Sequence, residues 1–209
     1  MATIESLVPY IASEVKDAMF LVIERELIQT ARKFFEQSMA WKDDKNLHAV
    51  VSGDEFVSLF IPDEANMVSV DYVLFDDLDI YPVTEYELNL TTPEWREDTG
   101  PPTNYIVQLN EARLRLYPKS NLVGTIKYQL ILKPSMSATE IPDFAVDQFI
   151  DVLIDGTLSR LYGMTGKSWS NPMEAERRGK MFRNGVSLAR ERMLRGASMQ
   201  NDFPIITLV

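Results

Sequence analysis

Apolar residues recur at helical spacing near both ends of the chain and alternate with polar residues in its middle. After Asp17, which we expect to cap a helix, the apolar positions Leu21, Ile28 and Phe35 repeat every seven residues. This spacing places them on one face of a helix that continues to about Ser38. The pattern therefore predicts a long N-terminal helix.

The middle of the chain has the pattern of short strands joined by turns. The predicted strands lie in HAVVSG, DEFVSLFIP, NMVSVDYVLFDD, LDIYPV, NYIVQL, ARLRLYP and VGTIKYQLILKP. Ser52, Gly53 and Asp54 stand between the first two and are typical of a hairpin turn. Thr84 is the predicted cap of one short helix in this region.

Residues 141–193 predict two amphipathic helices joined by a corner that contains Gly, Trp and Asn-Pro. Gly156 lies inside the first helix, where glycine costs about 1 kcal/mol relative to alanine. We therefore expect Gly156 to let another helix approach closely. Together with Trp169, Pro172 and Phe182, it forms the predicted corner at which these helices pack.

This order of elements predicts an α+β fold. A long N-terminal helix and two C-terminal helices are expected to pack as a bundle, with a central antiparallel β-rich subdomain projecting from it and an extended C-terminal tail. The clustering of the strands argues against a parallel βαβ sheet. The predicted parts are an N-terminal helical segment (1–44), the β-rich subdomain (45–140), the C-terminal helical pair (141–197) and the apolar tail (198–209).

The composition predicts a soluble protein with a substantial core. The chain has 209 residues, of which 45% are hydrophobic, enough for one domain or one domain with an appended element. It has no cysteine, which removes disulfides, thiolate zinc sites and cysteine nucleophiles from consideration. Neither a signal-peptide pattern nor an apolar run of about 18 residues is present, so no membrane partner is expected.

Charge is unevenly distributed along the chain. Residues 1–150 hold 12 Lys and Arg against 25 Asp and Glu, whereas residues 151–209 hold 9 against 6. The net charge of −10 argues against tight binding of a nucleic-acid backbone. The basic residues of the last helix are either a docking surface or a solvated helix face, and the sequence leaves both open.

The last seven residues, FPIITLV, are almost entirely apolar. Such a segment is unfavourable in water at a chain end. It either pairs with the sheet of its own chain or docks on a neighbouring molecule as an added strand. Both arrangements are open from the sequence.

Candidate catalytic groups are few. His48 is the only histidine, and no nucleophile or orienting partner is apparent for it. Asp76, Asp77 and Asp79 lack the Gly and Glu spacing of a calcium loop, and we interpret them as a turn between strands. The segment GMTGKS has two residues between its glycines where a phosphate-binding loop needs four. We therefore expect neither an enzyme nor a cofactor.

Several segments, in order, resemble the head–tail connector adaptors of tailed bacteriophages, which are related in role to tail tubular protein A. The resemblance is carried by ELIQTARKFFEQSMAWKDD, EFVSLFIPDEANMVSVDYVLFDD, TPEWREDTGPPTNYIV, RLRLYP, LILKPSMSATEIPDF and GTLSRLYGMTGKSWSNPMEAERRGKMFRNG. The last segment places Gly156, Leu161, Lys167, Trp169, Pro172, Ala175 and Phe182 as in that family.

The resemblance implies a structural adaptor in the neck of a virion, assembled in the host cytoplasm. Its partners would be the portal protein, further copies of itself in a ring of 12, and a tail or nozzle protein. DNA would pass through the ring without sequence-specific binding. Docking on the portal or on an adjacent protomer is assigned to Arg183, Arg190, Arg192, Phe203, Ile205, Ile206 and Leu208.

Three other hypotheses remain. The chain could be another neck component, such as a head-completion protein or a tail terminator with six copies. It could be a DNA-packaging factor that binds DNA through the basic helix, in which case the free monomer binds DNA in a salt-sensitive way. An enzyme would need a site assembled from scattered carboxylates, which nothing in the sequence favours.

Overall fold

A computed structural model describes residues 1–195, apart from the side chains of residues 45 and 46. The helices are α1 (Val8–Ala12), α2 (Phe20–Ser38), α3 (Glu85–Thr91), α4 (Asp143–Tyr162) and α5 (Pro172–Arg195). The strands are β1 (Ala2–Thr3), β2 (Lys42–Val50), β3 (Phe56–Ser58), β4 (Ala65–Phe75), β5 (Leu78–Pro82), β6 (Thr99–Gly100), β7 (Asn104–Gln108), β8 (Arg113–Tyr117), β9 (Lys119–Ser120), β10 (Gly124–Pro134) and β11 (Glu140–Ile141). Short 3₁₀ turns cover Ile4–Leu7 and Leu109–Glu111.

A curled seven-stranded sheet, shaped like half of a barrel, is the largest element. Its strand order is β2-β10-β4-β5-β7-β8-β3. Every neighbouring pair is antiparallel except β5 and β7, which are parallel. The apolar side chains of its inner face form one core, which includes Val50, Val57, Leu114, Ile126 and Leu130.

Helices α1, α2, α4 and α5 form a layer, here called the helical layer, with a second core. Helix α2 packs against α4, α5 and strand β10. Its fully buried residues include Ile23, Leu27, Phe34 and Phe35. Trp41, at the exit from α2, packs against both this core and that of the sheet, so the two layers are in direct apolar contact.

The turn between β4 and β5 consists of only two residues. Asp76 and Asp77 both have positive φ, 47° and 66°. Two residues in the left-handed region make a type I′ turn, which matches the twist of a hairpin. The Asp76 carboxylate accepts a hydrogen bond of 2.8 Å from the backbone N–H of Thr125. The predicted turn is therefore confirmed for Asp76 and Asp77, whereas Asp79 lies within β5 and pairs with Leu74 of β4.

Of three other local predictions, one is confirmed and two are wrong. Thr84 caps α3, as predicted, and the structure adds that Glu87 completes a capping box with it. The predicted hairpin at residues 52–54 is wrong, because β2 and β3 lie at opposite edges of the sheet. Asp17 does not cap α2, which begins at Phe20; the Asp17 carboxylate instead accepts a hydrogen bond of 2.7 Å from the Ser168 hydroxyl.

The predicted fold class is wrong. The chain is mixed α+β but strand-rich, with 28% of it in strands, and the curled sheet replaces the projecting antiparallel subdomain. The N-terminal segment is not one long helix leading a bundle. Turns at residues 13–18 separate the five-residue α1 from α2, and a 3₁₀ turn and a short strand precede α1. The helix predicted after Asp17 is itself present as α2, but it packs in a layer with α4 and α5 against β10 and does not lead a bundle.

The predicted boundaries between parts fall inside strands. The boundary at residues 44 and 45 lies within β2, and the boundary at residues 140 and 141 lies within β11. Strand β11 pairs with β1, which joins the start of the chain to the start of α4. The predicted extended tail, 198–209, lies outside the described residues.

Glu64 connects the start of β4 to the loop that follows β10. Its backbone is left-handed, with a φ of 61°. Its carboxylate accepts hydrogen bonds of 3.0 Å from both the backbone N–H and the hydroxyl of Thr139. These bonds favour the ionised form and lower the pKa of Glu64 below its ordinary value.

We expect the Glu64→Gln variant to be less sensitive to acid than the parent chain. A carboxyl whose pKa is lowered in the folded state contributes stability above its unfolded pKa of about 4.3. That contribution is lost as the pH falls through the lower folded value. Urea unfolding at pH 7 and at about pH 3.5 measures the effect. An equal loss of unfolding free energy in both proteins over this range would contradict the prediction.

Candidate assembly surfaces

Helices α2, α4 and α5 approach one another most closely at Gly156. A Cβ atom built on Gly156 would lie 2.5 Å from a ring carbon of Phe182 on α5 and 2.5 Å from the methyl group of Thr30 on α2. No side chain fits in this space. Of the four residues of the predicted corner, the structure thus brings Gly156 and Phe182 into contact, and their contact lies within one chain.

The other two corner residues lie at the turn between α4 and α5. Trp169 is half-buried, and the ammonium group of Lys167 lies 5.9 Å from its ring centroid. Pro172 is the exposed first residue of α5. Proline is favoured there because the first helical N–H has no partner within the helix. The segment GMTGKS follows a helix and not a strand, so it lacks the context of a phosphate-binding loop.

A partly buried ion-pair network joins α4, α5 and the turns after α1 beside this corner. Arg178 on α5 donates hydrogen bonds to Asp155 on α4, at 2.6 Å, and to Glu14 in the turns after α1, at 2.8 Å. The hydroxyl of Tyr162 also donates to Glu14, at 3.1 Å. Burial, together with this bond to Glu14, raises the pKa of Tyr162. Three separate parts of the helical layer are therefore joined through one guanidinium group.

Much of the positive charge on α5 is neutralised within the helix. Arg177, Lys180 and Arg195 form salt bridges with Glu174, Glu176 and Glu191 respectively. These pairs leave fewer basic side chains on α5 without an acidic partner than its number of Lys and Arg residues suggests.

The three predicted docking arginines of α5 are all exposed. Arg183 and Arg190 form no salt bridge with another described residue, and Arg192 contacts the Gln148 side chain at 3.4 Å. Arg183 also lines a hollow of about 90 Å³ together with Lys33 and Arg160. The other predicted docking residues, Phe203, Ile205, Ile206 and Leu208, lie outside the described residues.

Two groups of large apolar side chains are exposed at separate places. The first, here called the helix-end patch, consists of Met19, Phe20 and Leu21 at the start of α2, which are 65% to 77% exposed. The second, here called the sheet-end hollow, has a volume of about 450 Å³. Its apolar lining includes Leu78, Tyr81, Pro101, Pro102 and Leu122. Isolated exposed apolar residues need no explanation, but grouped ones mark candidate contact sites.

Strand β10 runs between the sheet-end hollow and the helical layer. Its first residues lie beside the β4–β5 turn, next to the hollow, because Gly124 approaches Asp76. At its other end the carbonyl of Pro134 accepts a hydrogen bond from Arg32 of α2. Eleven residues in extended conformation place these ends roughly 33 Å apart. The sheet-end hollow and the helical layer therefore occupy opposite ends of β10.

An alternating stack of arginine and aromatic side chains on the sheet escaped the sequence analysis. Along it the order is Arg113, Phe56, Arg115, Trp95 and Arg96. The guanidinium carbons lie between 4.0 and 5.6 Å from the ring centroids. Such cation–π contacts stabilise the packing of long side chains on a sheet surface. The alternation in RLRLYP, which places both arginines of β8 on one face, is the signal that could have revealed it.

Glutamates neutralise this stack. Arg115 pairs with Glu55 and, at 3.7 Å, with Glu85, while Arg96 pairs with Glu85 at 3.8 Å. Arg113 pairs with Glu111 at 2.5 Å. With every arginine paired, the stack fastens β3, β8 and the Trp95 loop together and does not present free cations to a phosphate.

The described residues contain no group of three His, Asp or Glu side chains placed to hold a metal ion. His48 is half-buried on β2. Within residues 1–195, no helix combines the length and the apolar character needed to cross a membrane.

No protein-family model matches this chain, and no curated protein matches it.

We expect Gly156→Ala to lower the free energy of unfolding by up to about 2 kcal/mol. Alanine is the better helix former by about 1 kcal/mol, but overpacking against Phe182 and Thr30 costs about 1 to 3 kcal/mol. Urea denaturation measures the change. The control is the same substitution in a Phe182→Leu background, where the ring is absent and the added methyl group should cost less. Equal losses in both backgrounds would contradict the close approach.

Replacing Arg178 by methionine should cost about 2 to 4 kcal/mol of unfolding free energy, because the nearly buried Asp155 carboxylate loses its cation. Arg177→Met is the matched control on the adjacent residue. Its pair with Glu174 is exposed, so we expect no measurable change. Chemical denaturation compares the two variants. Similar stabilities for both would show that the network does not stabilise the helical layer.

Proposed function

We propose that this chain is a structural subunit of the head–tail joint of a tailed bacteriophage. Copies of it would form a ring of 12 beneath the portal and present a platform to the tail or nozzle protein. DNA would leave the head through the channel of the ring. This role needs no catalytic residue and no cofactor, and it places the protein in the neck of the virion.

The main support is the pair of exposed apolar surfaces on different layers of the molecule. A subunit that joins two different structures needs two separate contact surfaces, and these must remain exposed until assembly. The helix-end patch belongs to the helical layer, while the sheet-end hollow lies at the far end of β10. The similarity of the sequence segments to head–tail adaptors supports the same role.

Charge supports the proposal in two ways. The negative excess of residues 1–150 suits a channel that DNA must pass without being held, since tight binding requires clustered cations against phosphates. Arg183 and Arg190, exposed on α5 without an ion-pair partner among the described residues, are suited to an acidic surface of the portal or of an adjacent protomer. Charge complementarity of this kind orients the partners as they meet.

The alternative roles make different predictions. A head-completion protein or a tail terminator would share the two contact surfaces but would differ in copy number, which image reconstruction of the neck determines. The proposal of a DNA-packaging factor is weakened by the salt bridges on α5, which neutralise much of its positive charge. A gel-shift measurement at low salt distinguishes it, because retardation of DNA by the free chain would favour that role.

The decisive experiment changes the two apolar surfaces separately in assembling particles. We expect Phe20→Asp with Leu21→Asp, and separately Leu78→Asp with Tyr81→Asp, to fold normally because all four side chains are exposed. A charge within an apolar contact should block docking at that surface. One variant should give particles that lack this chain, and the other should give particles that contain it but have no tail. Quantitative mass spectrometry and electron microscopy of purified particles measure both outcomes.

The control is Asn110→Asp, which adds a charge to the exposed 3₁₀ turn at Leu109–Glu111, outside both apolar groups and away from α5. Normal assembly of this variant is expected. If both surface variants stop assembly at the same step, the assignment of two partners is wrong. If reconstruction of the neck places the chain outside the ring next to the portal, the proposed function itself is wrong.

A further inference from the structure

Strand β2 is the longer of the two edge strands of the main sheet. It has nine residues, Lys42–Val50, and pairs only with β10 among the strands of the described residues. Edge strands of this length are a ready template for another strand, and proteins usually cover or shorten them. The opposite edge follows that rule, since β3 has only three residues.

The backbone geometry shows which groups of β2 face outward. Thr125 on β10 directs its C=O and N–H toward the β4–β5 turn, where they bond to the N–H and the carboxylate of Asp76. Thr125 lies opposite Ala49 in the β2–β10 ladder, so these two residues form a non-hydrogen-bonded pair. The backbone groups of Ala49 therefore point away from β10. By the two-residue period of a strand, those of Leu47 do the same.

The side chains beside these groups also fit an added strand. Val50 is fully buried in the core of the sheet, whereas Leu47 is 66% exposed and Val51 is 56% exposed. An additional strand along β2 would meet apolar side chains on both faces of the sheet edge. A segment with two apolar faces is therefore a better match for this edge than an alternating one.

The chain itself contains such a segment. Residues 203–209 read FPIITLV and contain no charged residue. Ile205, Ile206 and Thr207 are β-branched, which favours a strand. Proline, which is best tolerated at the start of a strand, is the second residue. Seven residues separate this segment from Arg195, the last residue of α5, and can span at most about 24 Å when fully extended.

We infer that residues 203–209 of one copy add as a strand to the edge of β2 in the neighbouring copy. The inference deepens the proposed function, on which it rests, by naming a contact between protomers. The donor segment and the acceptor edge are different surfaces, so the contact is head-to-tail. Repeated contacts of this type close into a ring when the rotation between copies allows it. Backbone hydrogen bonds would supply the contact, as in other cases of strand addition.

Cysteine crosslinking tests the pairing directly, because the chain has no cysteine of its own. One batch of full-length protein carries Ala49→Cys, and a second batch, with a tag of different mass, carries Ile206→Cys or Thr207→Cys. The batches are mixed at high concentration and oxidised. Neighbouring side chains of a strand lie on opposite faces, so one of the two tail positions should form the mixed disulfide several-fold faster than the other.

Proline substitutions test the role of the outward backbone groups. Ala49→Pro removes one outward N–H and should weaken self-association about tenfold in sedimentation measurements. Ser58→Pro is the matched control on β3. Its neighbour Leu59 bonds to Ala112 of the facing segment, so the backbone of Ser58 also points outward, on the other edge. This variant should associate like the parent chain.

Each outcome decides the inference. A mixed disulfide with one preferred tail position supports it, and so does selective weakening by Ala49→Pro. Mixed disulfides that form equally at both positions, or none up to the solubility limit, overturn it. A double variant that crosslinks within one chain in dilute solution also overturns it, in favour of a folded-back tail. The proposed function fails separately, if the chain is absent from the ring next to the portal.

Discussion

The pairing of strand β10 along its whole length is the interaction on which the rest of the structure depends. It pairs with β2 on one side and with β4 on the other, and it contacts helix α2 near its end. The register of β10 shifts against both neighbours between Tyr128 and Leu132, and such bulges increase the local twist that curls the sheet around its core. Its length also separates the sheet-end hollow from the part of the helical layer that Arg32 of α2 joins to Pro134.

The helical layer is held by packing of a different kind. Helices α2, α4 and α5 meet at Gly156, where no side chain fits. Arg178 joins α5 to α4 through a nearly buried ion pair with Asp155, and to the turns after α1 through a more exposed pair with Glu14. Both features favour this one packing of the helices. Gly156 allows the close approach because it has no side chain, and the nearly buried Asp155 needs Arg178 beside it. A rigid layer of this kind is suited to hold Arg183, Arg190 and the helix-end patch in fixed positions on its surface.

The local elements that could be predicted from the sequence are those whose chemistry is short-range. Thr84 and Glu87 form a capping box because their spacing alone allows it, and Asp76 and Asp77 turn because left-handed residues are needed there. The hairpin at residues 52–54 was wrong for the complementary reason. Turn residues report a change in direction, but the partner of each strand depends on contacts distant in the chain. Strands β2 and β3 follow one another and yet form opposite edges.

The sequence by itself determined the positions of helices α2, α4 and α5, the uneven charge, the absence of cysteine and the composition of the last seven residues. Only the tertiary structure decided that Gly156 packs against Phe182 within one chain, that the charges of α5 are largely paired, and that β2 is an open edge. These three features depend on which strands pair and on which side chains meet. The free energies of such contacts are not additive, so they cannot be summed residue by residue from the sequence. The sequence pattern names the surfaces that a fold can use, and the fold selects which of them remain exposed.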